Sequence, residues 1–133
     1  PLRVYIGPGR VRRRGGCRLM RRKLDGLRML ITGASSGIGR AMAILAAEAG
    51  AKLLLTARRE DRLDELLEVV HAKGADAKYV VGDVTDPGLH QKLFEKAQHE
   101  YQGLDVLVNN AGVGAYGSFA EASPDRLRQL MEV

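Results

Sequence analysis

Cysteine occurs once in these 133 residues, at Cys17, so no internal disulfide can form, and no combination of Cys and His has zinc-site spacing. A reducing compartment, the cytoplasm, is the expected location. No apolar run is longer than a short strand, and the N-terminal stretch has no apolar centre followed by small residues. The sequence therefore predicts neither a membrane span nor a secretory signal. Acidic residues are missing from the first 23 positions, which hold nine of the 21 Lys and Arg. No aromatic side chain is interleaved with the run Arg12-Arg13-Arg14-Gly15-Gly16, and Tyr5 stands alone in that segment. Base stacking thus has no partners there, and nucleic acid is the less favoured ligand.

Beyond Lys23 the charge balance reverses, with 12 basic against 16 acidic residues, a net charge of −4. The overall +5 is positive only because the first segment carries +9. Residues 1–23 show neither helical nor strand periodicity and read as a disordered Arg/Gly-rich tail. Met20 is followed by Arg-Arg-Lys-Leu-Asp-Gly and then by the first strand, which makes it a candidate start with residues 1–19 as an upstream extension. Residues 24–133 read as one folded unit, and a 45% share of hydrophobic residues in the whole chain suffices for its core.

In that unit short β-like runs alternate with amphipathic stretches, the pattern of βαβ units on a parallel sheet. Strands are expected over 27–32, 51–57, 78–81 and 106–108. Helices are expected from about Gly37 to Ala49, over 60–73 with Leu63, Leu66, Leu67 and Val70 on one face, and over 87–101 with Leu89, Leu93, Phe94 and Ala97 on one face. Ser123-Pro124 opens a fourth, with Ser as N-cap and Pro at the first helical position. Right-handed crossovers put the strands in the order 3-2-1-4, the N-terminal part of a doubly wound, Rossmann-like α/β sheet.

The chemistry-bearing segment is Thr32-Gly33-Ala34-Ser35-Ser36-Gly37-Ile38-Gly39, between the first strand and first helix. There a dinucleotide's pyrophosphate meets backbone N–H groups at a helix N-terminus. Gly33 allows the tight turn, Gly37 lets the backbone approach the phosphates, and Gly39 lets the helix pack close to the sheet. Many Gly-rich turns join strands to helices without binding anything, so the flanking strand and helix carry as much weight as the glycines.

The loop resembles that of the short-chain dehydrogenase/reductase family, whose Gly-x-x-x-Gly-x-Gly spacing Gly33, Gly37 and Gly39 match. Further matches follow in order: Arg58-Arg59 after the second strand, Asp83-Val84 after the third, and Asn109-Asn110-Ala111-Gly112 after the fourth. The resemblance covers residues 24–133. It implies a cofactor site built from Gly33, Ser35, Ser36, Gly37, Ile38, Gly39, Arg58, Arg59, Asp83, Val84, Asn110, Ala111 and Gly112. Asp83 would accept from the adenine amino group with Val84 against the ring, although an Asp near a helix start is also an ordinary turn or capping residue. Asn109 is expected to tie the central strands together rather than to hold cofactor.

An NAD enzyme typically ends its second strand on an acid for the ribose 2′-OH. This chain has Thr56-Ala57-Arg58-Arg59 there, and a guanidinium suits a 2′-phosphate, so NADP is the expected cofactor and NAD the lesser one. The bland alternative is that Arg58 and Arg59 are solvated helix-entry charges balanced by Glu60 and Asp61.

The resemblance further implies hydride transfer between NADP(H) and a small carbonyl or alcohol, by a homo-oligomer that uses no metal. The family's catalytic Ser, Tyr and Lys have no counterpart here. Four positions after Tyr5, Tyr79, Tyr101 and Tyr116 stand Gly9, Asp83, Asp105 and Ala120, so no Tyr-x-x-x-Lys exists. The chain closes on Glu132-Val133, like the acidic-apolar pair that precedes the family's fourth-helix Asn. The expectation is a catalytically silent cofactor-binding half. A stand-alone nucleotide-binding module is the alternative. His71, His90 and His99 read as members of solvated helix faces.

Overall fold

Parallel strands cannot be joined by a hairpin, so each connection must cross the sheet, and in this chain every crossover is a helix. The computed structural model describes residues 3–6, 23–114 and 123–133. Its elements are β1 (Arg3–Ile6), β2 (Arg28–Thr32), α1 (Gly37–Glu48), β3 (Lys52–Ala57), α2 (Glu60–Ala72), β4 (Ala77–Val81), α3 (Pro87–Tyr101), β5 (Val106–Asn109) and α4 (Pro124–Glu132). The sheet order is β1-β5-β2-β3-β4. Strands β2 to β5 are parallel and take the expected order, third, second, first, fourth.

Side-chain alternation splits the core in two. Met29, Ile31, Leu53, Leu55, Val106 and Val108 pack beneath α1 and α2, against Ala43, Leu63, Leu66 and Val70. Leu30 and Leu54 face the other way, against Leu89, Leu93, Ala97 and Tyr101 of α3. Strand β3 is covered on both faces, which is why Leu53-Leu54-Leu55 reads as an unbroken apolar run. Helix α3 opens as its sequence dictates, with Asp86 as N-cap accepting from Gly88 N at 2.8 Å. It closes on Gln102 in the left-handed region (φ 59°), one residue before the glycine that the sequence offers for that turn.

One element departs from expectation. Arg3–Ile6, inside the segment expected to be disordered, pairs antiparallel with β5, Arg3 opposite Asn109 and Ile6 opposite Val106. The free edge of β5 presents unpaired N–H and C=O groups, and four residues of extended backbone satisfy them. So short a run leaves no periodicity for sequence reading to detect. Arg12, Arg13, Arg14 and Met20 lie outside the described residues.

An Arg28 clamp holds the end of α3 against the sheet. Its Nε and Nη2 donate to Asp105 at 2.8 and 2.7 Å, and its Nη1 donates to the carbonyls of Tyr101 and Gln102 at 3.2 and 3.0 Å. The guanidinium beside Asp105 pulls that carboxyl from its ordinary 3.8 down to about 2. A carboxyl depressed in the folded state contributes stability that is complete above its unfolded pKa and is lost as pH falls towards the folded value. Both side chains are about a third exposed, so screening limits the contribution to about 1 kcal/mol. Asp105→Asn should lower stability by that amount at pH 7 and by almost nothing near pH 2, with the gap closing below pH 4. Urea unfolding of both proteins across that range measures it, and a gap unchanged at pH 2 would refute the assignment.

Candidate functional site

In an open α/β sheet the carboxyl ends of the strands leave a crevice where neighbouring connections depart to opposite sides. Here that point lies between β2, followed by the glycine loop and α1, and β5, followed by Asn110-Ala111-Gly112. A cleft of about 340 Å³ opens there. Every residue expected at a cofactor site lines it except Gly37 and Gly39. Ala57, Gly82, Val113 and Val133 also line it and were not expected there, since small apolar residues carry no chemical signal.

The strand ends are stitched to one another. Thr32 Oγ1 accepts from the backbone N–H of Asn110 and of Ala111, both at 3.0 Å, and donates to the Val108 carbonyl at 3.4 Å. The Asn110 amide donates in return to the carbonyls of Thr32 at 3.1 Å and Gly33 at 3.3 Å. Ala34 N donates to Thr56 O and Gly82 N to Ala57 O, so all four parallel strands meet at one rim. The strand-tying amide is thus that of Asn110, not Asn109, which is a correction. Asn109 is exposed at the end of β5, where strand alternation turns it away from the loop that Asn110 reaches.

Each glycine of the loop has its own reason. Gly33 turns at φ 65°, and a Cβ on it would stand 2.8 Å from Ala111 Cα. Gly37 turns at φ 56° with nothing within 4 Å of its missing Cβ, so it is required by conformation and leaves open space. Gly39 lies inside α1 with ordinary dihedrals, but its Cβ would collide with the Gly33 carbonyl oxygen and the Asn110 amide. The close packing of Gly39 is therefore against the glycine loop and the Asn110 amide, where packing against the sheet was expected.

At the N-terminus of α1 the capping serine does not cap. Ser36 makes no side-chain bond to the first turn, and no acidic residue sits there. Its hydroxyl accepts instead from Arg59 Nη2 at 2.8 Å, and Ser35 Oγ accepts from the same nitrogen at 3.1 Å. The first-turn N–H groups therefore receive no side-chain cap from Ser36. Arg58 takes another partner, its Nη1 lying 3.6 Å from Asp83 Oδ2. Asp83 Oδ1 accepts from the backbone N and Oγ1 of Thr85 at 3.0 and 2.9 Å, and these donors, with Arg58, hold the carboxyl below its usual range. The turn role weighed for Asp83 is real, while the α3 cap belongs to Asp86. Among the described residues neither arginine pairs with Glu60 or Asp61, whose Asp61 faces Arg62.

A family model described as short chain dehydrogenase matches residues 28–133. The chain belongs to the short-chain dehydrogenase family. It is 37% identical over 105 residues to an uncharacterised oxidoreductase of Listeria monocytogenes, covering 79% of this chain and 42% of that protein. To a 3β-hydroxysteroid dehydrogenase of Mediterraneibacter gnavus it is 39% identical over 105 residues, covering 78% and 38%. A short-chain dehydrogenase/reductase of Burkholderia phymatum, solved in complex with NAD, superposes with a TM-score of 0.80 at 36% identity over 84% of this chain and 40% of that one. The chain spans about two fifths of the length of these relatives.

In this short-chain dehydrogenase chain the tyrosines whose side chains are described are committed elsewhere. Tyr79 donates to Asp64 at 2.6 Å, which pushes its pKa up to about 12. Tyr101 donates to the Leu53 carbonyl at 3.0 Å, and burial raises its pKa. Neither lines the cleft, and Tyr116 lies outside the described residues. Two histidines do more than cover a solvated face, His71 donating to the Ala77 carbonyl and His90 to that of Val84 in the fitting tautomer. Among the described residues no helix is long and apolar enough to cross a membrane, and no group of three His, Cys, Asp or Glu could hold a metal ion.

Proposed function

We propose that this chain is the NADP-binding part of an oxidoreductase that, as a whole protein, moves a hydride between NADP(H) and a small carbonyl or alcohol. The observation that carries the reading is the end of β3. Ala57 stands where an acid would serve a ribose hydroxyl, and two guanidinium groups follow it at the rim of the cleft. The other parts fit a dinucleotide: an uncapped helix N-terminus for pyrophosphate, Asp83 and Val84 for adenine, and Asn110, Ala111 and Gly112 for the ribose on the nicotinamide side. When bound, the reduced nicotinamide would supply the hydride to a carbonyl, and the oxidised one would accept it from an alcohol. This chain's residues seat and orient the nicotinamide, and with Tyr79 and Tyr101 committed elsewhere the chain alone should turn over no carbonyl. The reading carries with it a cytoplasmic, homo-oligomeric whole protein, as the family resemblance and the single cysteine imply.

A guanidinium bonded to phosphate contributes on the order of 1.5–3 kcal/mol, and each ~1.4 kcal/mol is a factor of ten. Isothermal titration of the 133-residue chain should therefore show NADPH bound at least tenfold tighter than NADH. Since one solved relative holds NAD, a ratio near one is the result that would reject NADP.

A further inference from the structure

We infer that the two arginines after β3 divide the cofactor between them: Arg59, with Ser35 and Ser36, is the residue that discriminates for the 2′-phosphate, and Arg58 is a positioning residue that serves the adenine end through Asp83. The inference rests on the NADP reading and goes beyond it, because residue order alone favours Arg58, the first cation after the strand.

The difference between the two lies in what already neutralises each charge. Among the described residues Arg59 has no carboxylate partner, and its contacts are the Ser35 and Ser36 hydroxyls at 3.1 and 2.8 Å. As acceptors from Nη2 both hydroxyls keep their own hydrogens, and the guanidinium keeps three of its five. Two O–H donors and a planar cation thus converge beside the helix N-terminus, a donor set that fits a dianionic phosphoryl group. Arg58 stands against Asp83, whose carboxylate is locked by the two Thr85 donors and cannot turn away. A phosphate reaching Arg58 must approach that carboxylate, and like charges oppose it. The same pair fixes Asp83 Oδ2 next to Val84, where an adenine amino group would donate.

The test is isothermal titration of the full chain, which needs no turnover. The probes are adenosine 2′,5′-bisphosphate, adenosine 5′-monophosphate and inosine 5′-monophosphate, the last lacking the purine amino group. The parent should bind the bisphosphate at least tenfold tighter than the adenosine monophosphate. Arg59→Ala should bring that ratio to within about threefold, and Arg59→Lys, which keeps the charge without the fork, should restore part of it. Arg58→Ala should weaken both adenosine probes alike, keep their ratio, and narrow the preference for adenosine over inosine monophosphate, which a merely structural role would leave alone. Both side chains are exposed, so far-UV circular dichroism should match the parent's. If the ratio collapses in Arg58→Ala and survives in Arg59→Ala, or falls equally in both, the division is overturned while NADP stands. A parent that binds the first two probes alike overturns the NADP reading and this inference with it.

Discussion

Gly39→Ala should abolish nucleotide binding and destabilise the fold, although the change adds one methyl group at a helical position. In an unhindered helix Gly→Ala gains up to about 1 kcal/mol. Here the new Cβ would lie closer than any real Cβ lies to the Gly33 carbonyl oxygen and the Asn110 amide. The first is backbone, and the second is held by two hydrogen bonds to the loop, so neither can give way cheaply. Overpacking of this kind costs about 1–3 kcal/mol, which outweighs the propensity gain, and relief requires the glycine loop to leave β5. We expect about 2 kcal/mol of lost stability in urea unfolding and NADPH affinity weakened at least a hundredfold. Gly37→Ala is the matched control for stability, since within the chain its cost is only the left-handed backbone, about 1–2 kcal/mol, with no steric clash. Should Gly39→Ala bind NADPH within threefold of the parent, the close approach of α1 to the loop is not what the site depends on.

Thr32→Val is nearly isosteric, yet it should lower stability more than any other single change at the rim. The buried hydroxyl accepts two backbone N–H groups from the segment after β5 and gives one bond back. Valine leaves both N–H groups without an acceptor, at about 1–3 kcal/mol each. Because Asn110 and Ala111 are half-buried, water recovers part of this, and the expected loss is about 2–4 kcal/mol. In a domain of this size that lowers Tm by about 10 °C. Thr32→Ser keeps the hydroxyl, removes a methyl group and should cost about 1 kcal/mol. Thermal scans of the three proteins decide it, and equal Tm values for Val and Ser would show that the hydroxyl does not hold the two segments together.

The elements and their order were legible in the residues because each rests on local periodicity. Leu63, Leu66 and Val70 repeat at helical spacing, and Leu53-Leu54-Leu55 shows the unbroken apolarity of a strand covered on both faces. The strand order followed from the handedness of crossovers, and four parallel strands take it. Membership of the short-chain dehydrogenase family was equally open to reading, because the glycine spacing and the Asn-Asn-Ala-Gly segment are contiguous motifs that survive without coordinates.

What residue order could not assign were choices between adjacent positions. Asn109 and Asn110 are chemically identical neighbours, and only the end of β5 decides that the second turns its amide to Thr32 and Gly33. Arg58 and Arg59 are likewise the same residue twice. In the folded chain one lies on Asp83, 25 positions later, and the other on Ser35 and Ser36, more than 20 positions earlier. The pairing of Arg3–Ile6 with β5 joins segments a hundred residues apart through backbone groups that every residue type carries. Composition and periodicity determine which segments become strands and helices, because those depend on neighbours in the chain. Which of two like side chains faces a partner, and which backbone edge finds a mate, depend on neighbours in space, and only the folded sheet brings those together.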